Sequence, residues 1–315
     1  MPLPKLIILY GKFGHNHNEK QQRMIDGDTV CGYRDYAKRF GEIIYLCPQH
    51  VHHEWEHSIP NTEALTEYLG AQENAIVWSV KHDQSKDVIL RSITHIPTLY
   101  YSCCAYNVCN PYVDVSLVDT PGRLNCGANC KQWFKGKDPT FWRHRGEERI
   151  YDYCLCGRRG DKHEIDFIKQ LTEDCKEKRK VVWIGGIAHN KTWGKTHHDV
   201  VCTPPANPRR VRDLMCSSKV GILLTDLPAE GFPQTLIEMA MCGLPVVYNE
   251  KGPTNTLYKE RGITTESVSL SDSAHVAERL LCGTPRPINN EIAENAQYEL
   301  SIAKSYQHMV DLCTQ

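Results

Sequence analysis

The strongest constraint on this chain is an alternation of short apolar runs with longer amphipathic stretches. KLIILYG (5–11), EIIYLCP (42–48), NAIVWSV (74–80), PTLYYSC (97–103) and VDVSLVD (113–119) have the length and the β-branched and aromatic content of buried strands. Between the first two, DTVCGYRDYAKRFG (28–41) has helical spacing and closes on Gly41. Strand, helix, strand in this order predicts parallel pairing, because a crossover helix is what returns the chain to the same edge of a sheet. The rhythm lapses over CKQWFKGKDPTFWRHRGEER (130–149) and restarts as strand YDYCLCG (151–157), helix EIDFIKQLTEDCKE (164–177), strand KVVWIGG (180–186), helix PRRVRDLMCSS (208–218), strand VGILLTD (220–226), a further helix and strand LPVVYNE (244–250). Two α/β domains are expected, residues 1–147 and 148–289. A closing segment, 290–315, is expected to hold one helix over 290–312 that packs back on the first domain, with Ile292, Ala296, Leu300, Ala303 and Val310 near one face.

A length of 315 residues accommodates two such domains. With 37 Lys and Arg against 38 Asp and Glu, no global field draws in nucleic acid or an anionic membrane, so any such contact needs a local patch. The apolar run in MPLPKLIILYGKFG is too short and too soon ended for a signal peptide or an anchor. Fifteen cysteines, an odd number scattered through core-like segments, do not form a secreted disulfide framework. A reducing, cytoplasmic setting is expected.

The chemistry concentrates in LPAEGFPQTLIEMAMCGLPVV (227–247). Pro233 suits the first turn of a helix, and Gly243 with Pro245 ends that helix and releases a strand. Glu230 then precedes the helix and Glu238 lies within it. The unsatisfied N–H groups of Gly231, Phe232, Gln234 and Thr235, with the positive end of the helix dipole, make an anion site suited to a diphosphate. Two carboxylates on either side of that site have the chemistry to accept hydrogen bonds from paired sugar hydroxyls.

EGFPQTLIEMAMCGLPVV resembles the E-x7-E signature of retaining glycosyltransferases of family 4, and the likeness extends upstream through VRDLMCSSKVGILLTD. CGRRGDKHEIDFIKQL (156–171) is similar to the strand, loop and helix where that family sets an Arg and a Lys against the donor diphosphate, and FKGKDPTFWRHRG (134–146) resembles its Asn-Gly-x-Asp segment. The likeness covers roughly residues 115 to 262. It implies an α/β fold of two Rossmann-like domains facing across a cleft, termed GT-B, with a nucleoside-diphosphate sugar as co-substrate and no resident cofactor or metal. Carried over by position, Glu230 contacts the donor sugar, Gly231, Phe232, Pro233 and Gln234 present backbone to sugar and phosphate, with Thr235 beside them, and Glu238 binds the ribose. Arg158 and Lys162 neutralise the leaving diphosphate; Arg159 is an equal alternative to Arg158. Fixed cations at the departing oxygen are what this chemistry requires.

The amino-terminal half departs from the family pattern. Its first loop is longer and more polar than a Gly-rich phosphate loop. Gly27 and Asp28 stand where the loop meets the first helix, with His15, Asn16 and His17 as acceptor contacts. At the position of the family's cleft histidine stands Cys103 or Cys104, which leaves His82, in the loop after the preceding strand, as the substitute.

Other constellations compete. Cys126 and Cys130 with Cys154 and Cys156 have the spacing of a four-thiolate zinc site, although small core cysteines give the same pattern. HVHHEWEH (50–57) is rich in histidine but lacks a helical His-Glu-x-x-His arrangement and reads as a loop. Neither GKFGHN nor WIGGIAH completes a dinucleotide fingerprint, which argues against a dehydrogenase. Lys131, Trp133, Phe134, Lys135, Lys137, Phe141, Trp142, Arg143 and Arg145 form a basic aromatic stretch that either packs between domains or meets a nucleic acid or membrane surface. The expected activity is transfer of a hexose or pentose to a hydroxyl of a glycan, lipid, small molecule or modified base. The alternatives are an epimerase or hydrolase of nucleotide-sugars on the same fold, and a non-catalytic sugar-nucleotide-binding protein.

Overall fold

The protein is described from a computed structural model, over residues 2–11, 32–46, 53–80, 84–102, 110–118, 129–156, 162–185, 194–204, 206–224, 234–249, 265–282 and 290–314. It divides into two compact units, residues 1–136 with 302–315, and residues 137–301.

The first unit is built on a seven-stranded parallel sheet in the order β3-β2-β1-β4-β5-β6-β7. The strands are β1 (Lys5–Tyr10), β2 (Gly41–Tyr45), β3 (Glu56–Ser58), β4 (Ala75–Ser79), β5 (Thr98–Ser102), β6 (Val115–Val118) and β7 (Cys130–Gln132). Alternation along β1 shows why the sheet is covered on both faces. Leu6, Ile8 and Tyr10 join one core, while Ile7 and Leu9 join the other. In the first core Trp78 and Trp133 meet edge to face at 5.6 Å between ring centroids, with Tyr36 of α1 (Tyr33–Phe40) 5.5 Å from Trp78. Burying an aromatic side chain of this size removes enough area to stabilise the fold by on the order of 4–6 kcal/mol before entropy is counted. Helices α2 (Thr62–Gly70) and α3 (Gln84–Ser92) accompany the sheet.

The second unit repeats the plan with six parallel strands in the order β10-β9-β8-β11-β12-β13. These are β8 (Tyr151–Cys156), β9 (Lys180–Ile184), β10 (Asp199–Thr203), β11 (Ser218–Leu223), β12 (Val246–Asn249) and β13 (Thr265–Val268). Its helices are α4 (Lys162–Asp174), α5 (Pro208–Cys216), α6 (Gln234–Met241), α7 (Ser273–Cys282) and α8 (Asn290–Glu299). In both sheets the order reverses beside the first strand, at β1/β4 and at β8/β11, and such a switch point opens a crevice at the carboxyl ends of the strands.

The closing segment is two helices rather than the single one expected. α8 belongs to the second unit, and α9 (Ile302–Cys313) belongs to the first. The break at Leu300 and Ser301 follows from pairing: Lys137 donates its N–H to the Leu300 carbonyl at 2.9 Å and bridges to Ser301. Beyond it, α9 is fixed to its own unit through Ser305. The Tyr36 hydroxyl donates to Ser305 Oγ at 2.7 Å, Ser305 Oγ donates to the Phe134 carbonyl at 2.6 Å, and Trp133 Nε1 donates to the Ser305 carbonyl at 2.9 Å. Ile302, Tyr306 and Met309 complete the aromatic core.

One further expectation is corrected. The HVHHEWEH segment contributes β3, and Glu56 is buried against Arg34 and the Tyr45 hydroxyl, while His53 stacks on Trp55 at 4.9 Å. The aromatics of 131–145 pack within the units. Trp133 and Phe134 are buried in the first, and Trp142 is buried in the second, with Phe141 against it at 5.1 Å. Lys135 and Lys137 are buried as well, leaving Arg143 and Arg145 as the exposed cations of that stretch. No helix among the described residues is long and apolar enough to cross a membrane.

Candidate functional site

Helix α6 is apolar on every side except at chosen points. Leu236, Ile237, Met239, Ala240 and Met241 are buried, and so is the carboxylate-bearing Glu238. A helix hydrophobic all round belongs in a core, and α6 lies between β11 and β12 on one side and α8 on another. Gly221 of β11 permits the close approach: a Cβ there would lie 2.7 Å from the Met239 sulfur. The helix ends as the sequence predicts. Gly243 has φ 74°, its N–H bonds to the Ala240 carbonyl at 2.8 Å, and Leu244 N–H reaches back to the Met239 carbonyl at 3.1 Å. This is a Schellman closure, and Gln297 Nε2 adds a bond to the Met241 carbonyl at 3.2 Å.

Glu238 is held by a residue that sequence reasoning did not assign to the site. Lys137 Nζ lies 2.6 Å from Glu238 Oε1, and the two side chains are 1% and 3% exposed. The Lys137 ammonium also lies 5.7 Å from the centre of the Trp142 ring. Lys137 is fixed at both ends, by its backbone bond to Leu300 and by the carboxylate. A buried carboxylate remains ionised only where a partner offsets its lost hydration, and Lys137 does so here. The lysine stood in the basic aromatic stretch, where nothing in its neighbours distinguished it from a solvated cation.

The carboxyl end of β8 meets the start of α6 at the switch point of the sheet. Cys156 ends β8 beside Thr235, the second residue of α6. Burial pushes the Cys156 thiol well up, and the nearby Glu238 carboxylate adds to the shift, so the site holds a neutral thiol. Glu164, in the first turn of α4, is buried and also acts on that thiol. Gln234 opens α6 one turn before Glu238, and its Oε1 and Nε2 are both buried without a hydrogen-bond partner among the described residues. Residues four apart lie on one helix face, so Gln234 and Glu238 share a side of α6.

The described residues therefore bring together Gln234, Thr235 and Glu238 of the expected donor set, and add Lys137, Cys156 and Glu164. Lys162 begins α4 at the end of the loop that follows β8, with its side chain outside the described residues. Arg158, Arg159, Glu230, Gly231, Phe232 and Pro233 lie outside the described residues, as do His15, Asn16, His17, Gly27, Asp28, His82 and Cys103. The four-thiolate zinc reading loses a ligand: Cys130 is disulfide-bonded, which also departs from a uniformly reduced set of cysteines, and Cys126 lies outside the described residues. Burial pushes the Cys154 thiol up to about 12.

No model of a known family matches the sequence, and no curated protein does. Solved structures do match. A glycosyltransferase involved in avilamycin A biosynthesis superposes with a TM-score of 0.66 at 14% identity, covering 99% of this chain and 97% of the other. HepE of Anabaena, in complex with UDP and glucose, gives 0.64 at 13% identity over 99% of both chains. An alpha-glucosyltransferase in complex with UDP-glucose and DNA containing an abasic site gives 0.66 at 12% identity over 98% of both. At these identities the likeness is one of fold. The chain has, from end to end, the two Rossmann-like units of the GT-B glycosyltransferase architecture.

Proposed function

We propose that the protein is a retaining glycosyltransferase that takes its sugar from a nucleoside-diphosphate donor held by the second unit. The observation that carries this reading is the placement of Gln234, Thr235 and the Lys137-held Glu238 at the β8/β11 switch point, within a fold shared end to end with UDP-bound glycosyltransferases. Glu238 accepts hydrogen bonds from the ribose hydroxyls and Glu230 from the donor sugar. The first N–H groups of α6 face the diphosphate, where the helix dipole favours negative charge.

In the reaction the bond from the anomeric carbon to the phosphate oxygen breaks, and a bond from the same carbon to the acceptor oxygen forms on the same face. The acceptor's proton passes to the departing phosphate. Negative charge grows on the leaving diphosphate, and Arg158 or Arg159 with Lys162 stabilise it more in the transition state than in the ground state. The chain's other task is orientation, since holding donor and acceptor in line replaces a bimolecular encounter with a local one. The amino-terminal unit supplies the acceptor side, with His15, Asn16, His17, Gly27, Asp28, His82 and Cys103 as its contacts.

Mass spectrometry of products from UDP-, GDP- and ADP-sugars with a panel of hydroxyl acceptors tests the reading, with UDP-sugars first because the fold neighbours bind UDP. A new glycoside whose anomeric configuration matches the donor is expected. Turnover of the donor without acceptor would replace transfer by hydrolysis or epimerisation, and binding without turnover would leave a non-catalytic nucleotide-sugar protein.

A further inference from the structure

Three of the four sheet edges are short or charged. β3 and β7, at the edges of the first sheet, have three residues each, and β13, at one edge of the second, carries Glu266 among its four. Such edges keep the sheets of a soluble protein from pairing with other chains. β10, at the remaining edge, is longer, and its interior is uncharged. It runs for five residues, Asp-Val-Val-Cys-Thr, in unbroken register with β9 and without a lysine, a proline or a bulge. Its one charge, Asp199, stands at the end and is paired with Lys178 at 2.9 Å. The bonds to β9 fix which backbone groups remain open. Asp199 donates its N–H to the Arg179 carbonyl at 2.8 Å, and the Thr203 carbonyl accepts from the Gly185 N–H at 3.1 Å. Alternate residues of a strand turn their N–H and C=O to opposite neighbours, so Asp199, Val201 and Thr203 serve β9, and the N–H and C=O of Val200 and Cys202 point off the edge. These groups have no partner among the described residues. The side chain of Val201 is 45% exposed, whereas those of Val200 and Cys202 turn to the other face and pack on the core.

We propose that β10 is the docking edge for a second copy of this chain, the two strands pairing antiparallel about a two-fold axis at Val201 and joining two six-stranded sheets into one. The open groups select this register. Centred on Val201, it sets Val200 of each chain opposite Cys202 of the other, and every open N–H and C=O is paired. A shift of two residues one way brings Pro204, which has no N–H, opposite Val200, and a shift the other way brings His198, which lies before the strand, opposite Cys202. The exposed valines meet in the close, non-hydrogen-bonded pair, and Asp199 lies opposite Thr203, so no like charges are brought together. A strand that complements itself in this way meets the requirement of a two-fold contact, which a strand of unrelated sequence meets only by coincidence. A ladder of five residues buries little surface, so the dimer is weak and depends on concentration. The proposal goes beyond the donor-site reading and is independent of it.

Sedimentation velocity of the full chain from about 1 to about 100 μM, with amide hydrogen exchange measured at both ends of that range, tests the proposal. Wild type is expected to move from the mass of one chain toward that of two as concentration rises, and the Val200 and Cys202 amides to exchange more slowly at the upper end. Val201→Lys sets two ammonium groups face to face and is expected to stay monomeric throughout with an unchanged thermal midpoint, because the position is exposed. Val201→Thr, neutral and strand-forming, is expected to dimerise as wild type does. A wild type that is monomeric at every concentration overturns the proposal. So does a dimer in which the Val200 and Cys202 amides exchange as fast as in the monomer, or one that Val201→Lys leaves intact, since either result places the contact elsewhere. The exchange of the wild-type amides decides the matter even if the lysine variant does not fold.

Discussion

The ammonium of Lys137 and the carboxylate of Glu238 form a buried pair 2.6 Å apart within the second unit, joining the segment where that unit begins to the helix that carries the candidate site. Two charges withdrawn from water are tolerated only together, and each therefore fixes the other's place.

Removing one partner strands the other. Lys137→Met is expected to cost about 3–5 kcal/mol in urea unfolding, and Glu238→Gln a similar amount, whereas Lys137→Met combined with Glu238→Leu recovers much of that loss. A cost below about 1 kcal/mol for Lys137→Met, the range of an exposed pair, would show that the contact is not a buried one in solution.

Elsewhere in the second unit, Glu278 of α7 accepts from Arg179 Nε at 3.0 Å, from Arg179 Nη2 at 2.7 Å and from the Tyr153 hydroxyl at 2.6 Å. Burial alone would raise its carboxyl, but the Arg179 and Tyr153 bonds outweigh burial and hold it below the usual 4.5. A depressed carboxylate binds fewer protons folded than unfolded, so its contribution is present above the unfolded value and is lost as pH falls from about 4.5 through the lower folded value. Unfolding free energy should fall over that window in wild type and fall less steeply in Glu278→Gln. Identical acid limbs in the two proteins would exclude the network as a source of acid sensitivity.

Native alkylation should separate the cysteines. Cys282 is exposed, whereas Cys154, Cys216 and Cys242 are buried, with the Cys154 thiol pushed up to about 12 and the Cys242 thiol also raised by burial. The thiolate is the nucleophile, so brief iodoacetamide treatment at pH 8 is expected to modify Cys282 and spare the other three until the protein is unfolded. Rapid native labelling of Cys154, read by peptide mass spectrometry, would contradict its placement in the core of β8.

Substituting Gly221 by alanine tests how closely α6 sits on the sheet. The added methyl meets the Met239 sulfur at 2.7 Å and Val246 Cγ2 at 3.2 Å, and overpacking of this kind typically costs about 1–3 kcal/mol. Because the displaced helix carries Glu238, nucleotide affinity should fall with stability. A variant as stable as wild type would mean that Met239 swings aside freely.

Metal dependence is the remaining test. The proposed donor site relies on Arg158 or Arg159, Lys162 and a helix amino-terminus to offset diphosphate charge, so turnover is expected to survive EDTA. Abolition by EDTA with rescue by Mg²⁺ or Mn²⁺ would replace that scheme by a metal-held diphosphate, with Asp26 and Asp28 as the first ligands to substitute.

The interior strands of both sheets were legible because each is a contiguous apolar run, as in Leu6 to Tyr10 and Val181 to Ile184, whereas Asp199–Thr203 and Thr265–Val268, at the two edges of the second sheet, were not read as strands. The helix carrying Glu238 was legible for a different reason, the Pro233 and Gly243 that bracket it. Short edge strands escaped: Glu56–Ser58 and Cys130–Gln132 are three residues each, too brief to show a period. The break in the closing segment escaped because Leu300 and Ser301 interrupt no pattern of apolar spacing, and the interruption comes from a backbone bond to Lys137, distant in sequence. Lys137 itself was seen only as one cation among several. Burial of a lysine is decided by a partner on another element, and the sequence carries no local mark of it.

The second unit is spliced into the first, entering at Lys137 and leaving at Ser301, which are bridged to one another. This fixes an order of completion as the chain emerges from the ribosome. The inserted unit has all its residues once Ser301 is made, and its two ends are already side by side, so it can close as an independent body. The amino-terminal unit, though translated first, must wait with the face of Trp78 and Trp133 uncovered until Ile302, Tyr306 and Met309 arrive to cap it. The half of the protein synthesised earliest is thus the last to have all its residues, and until then its aromatic core lacks the side chains of Ile302, Tyr306 and Met309.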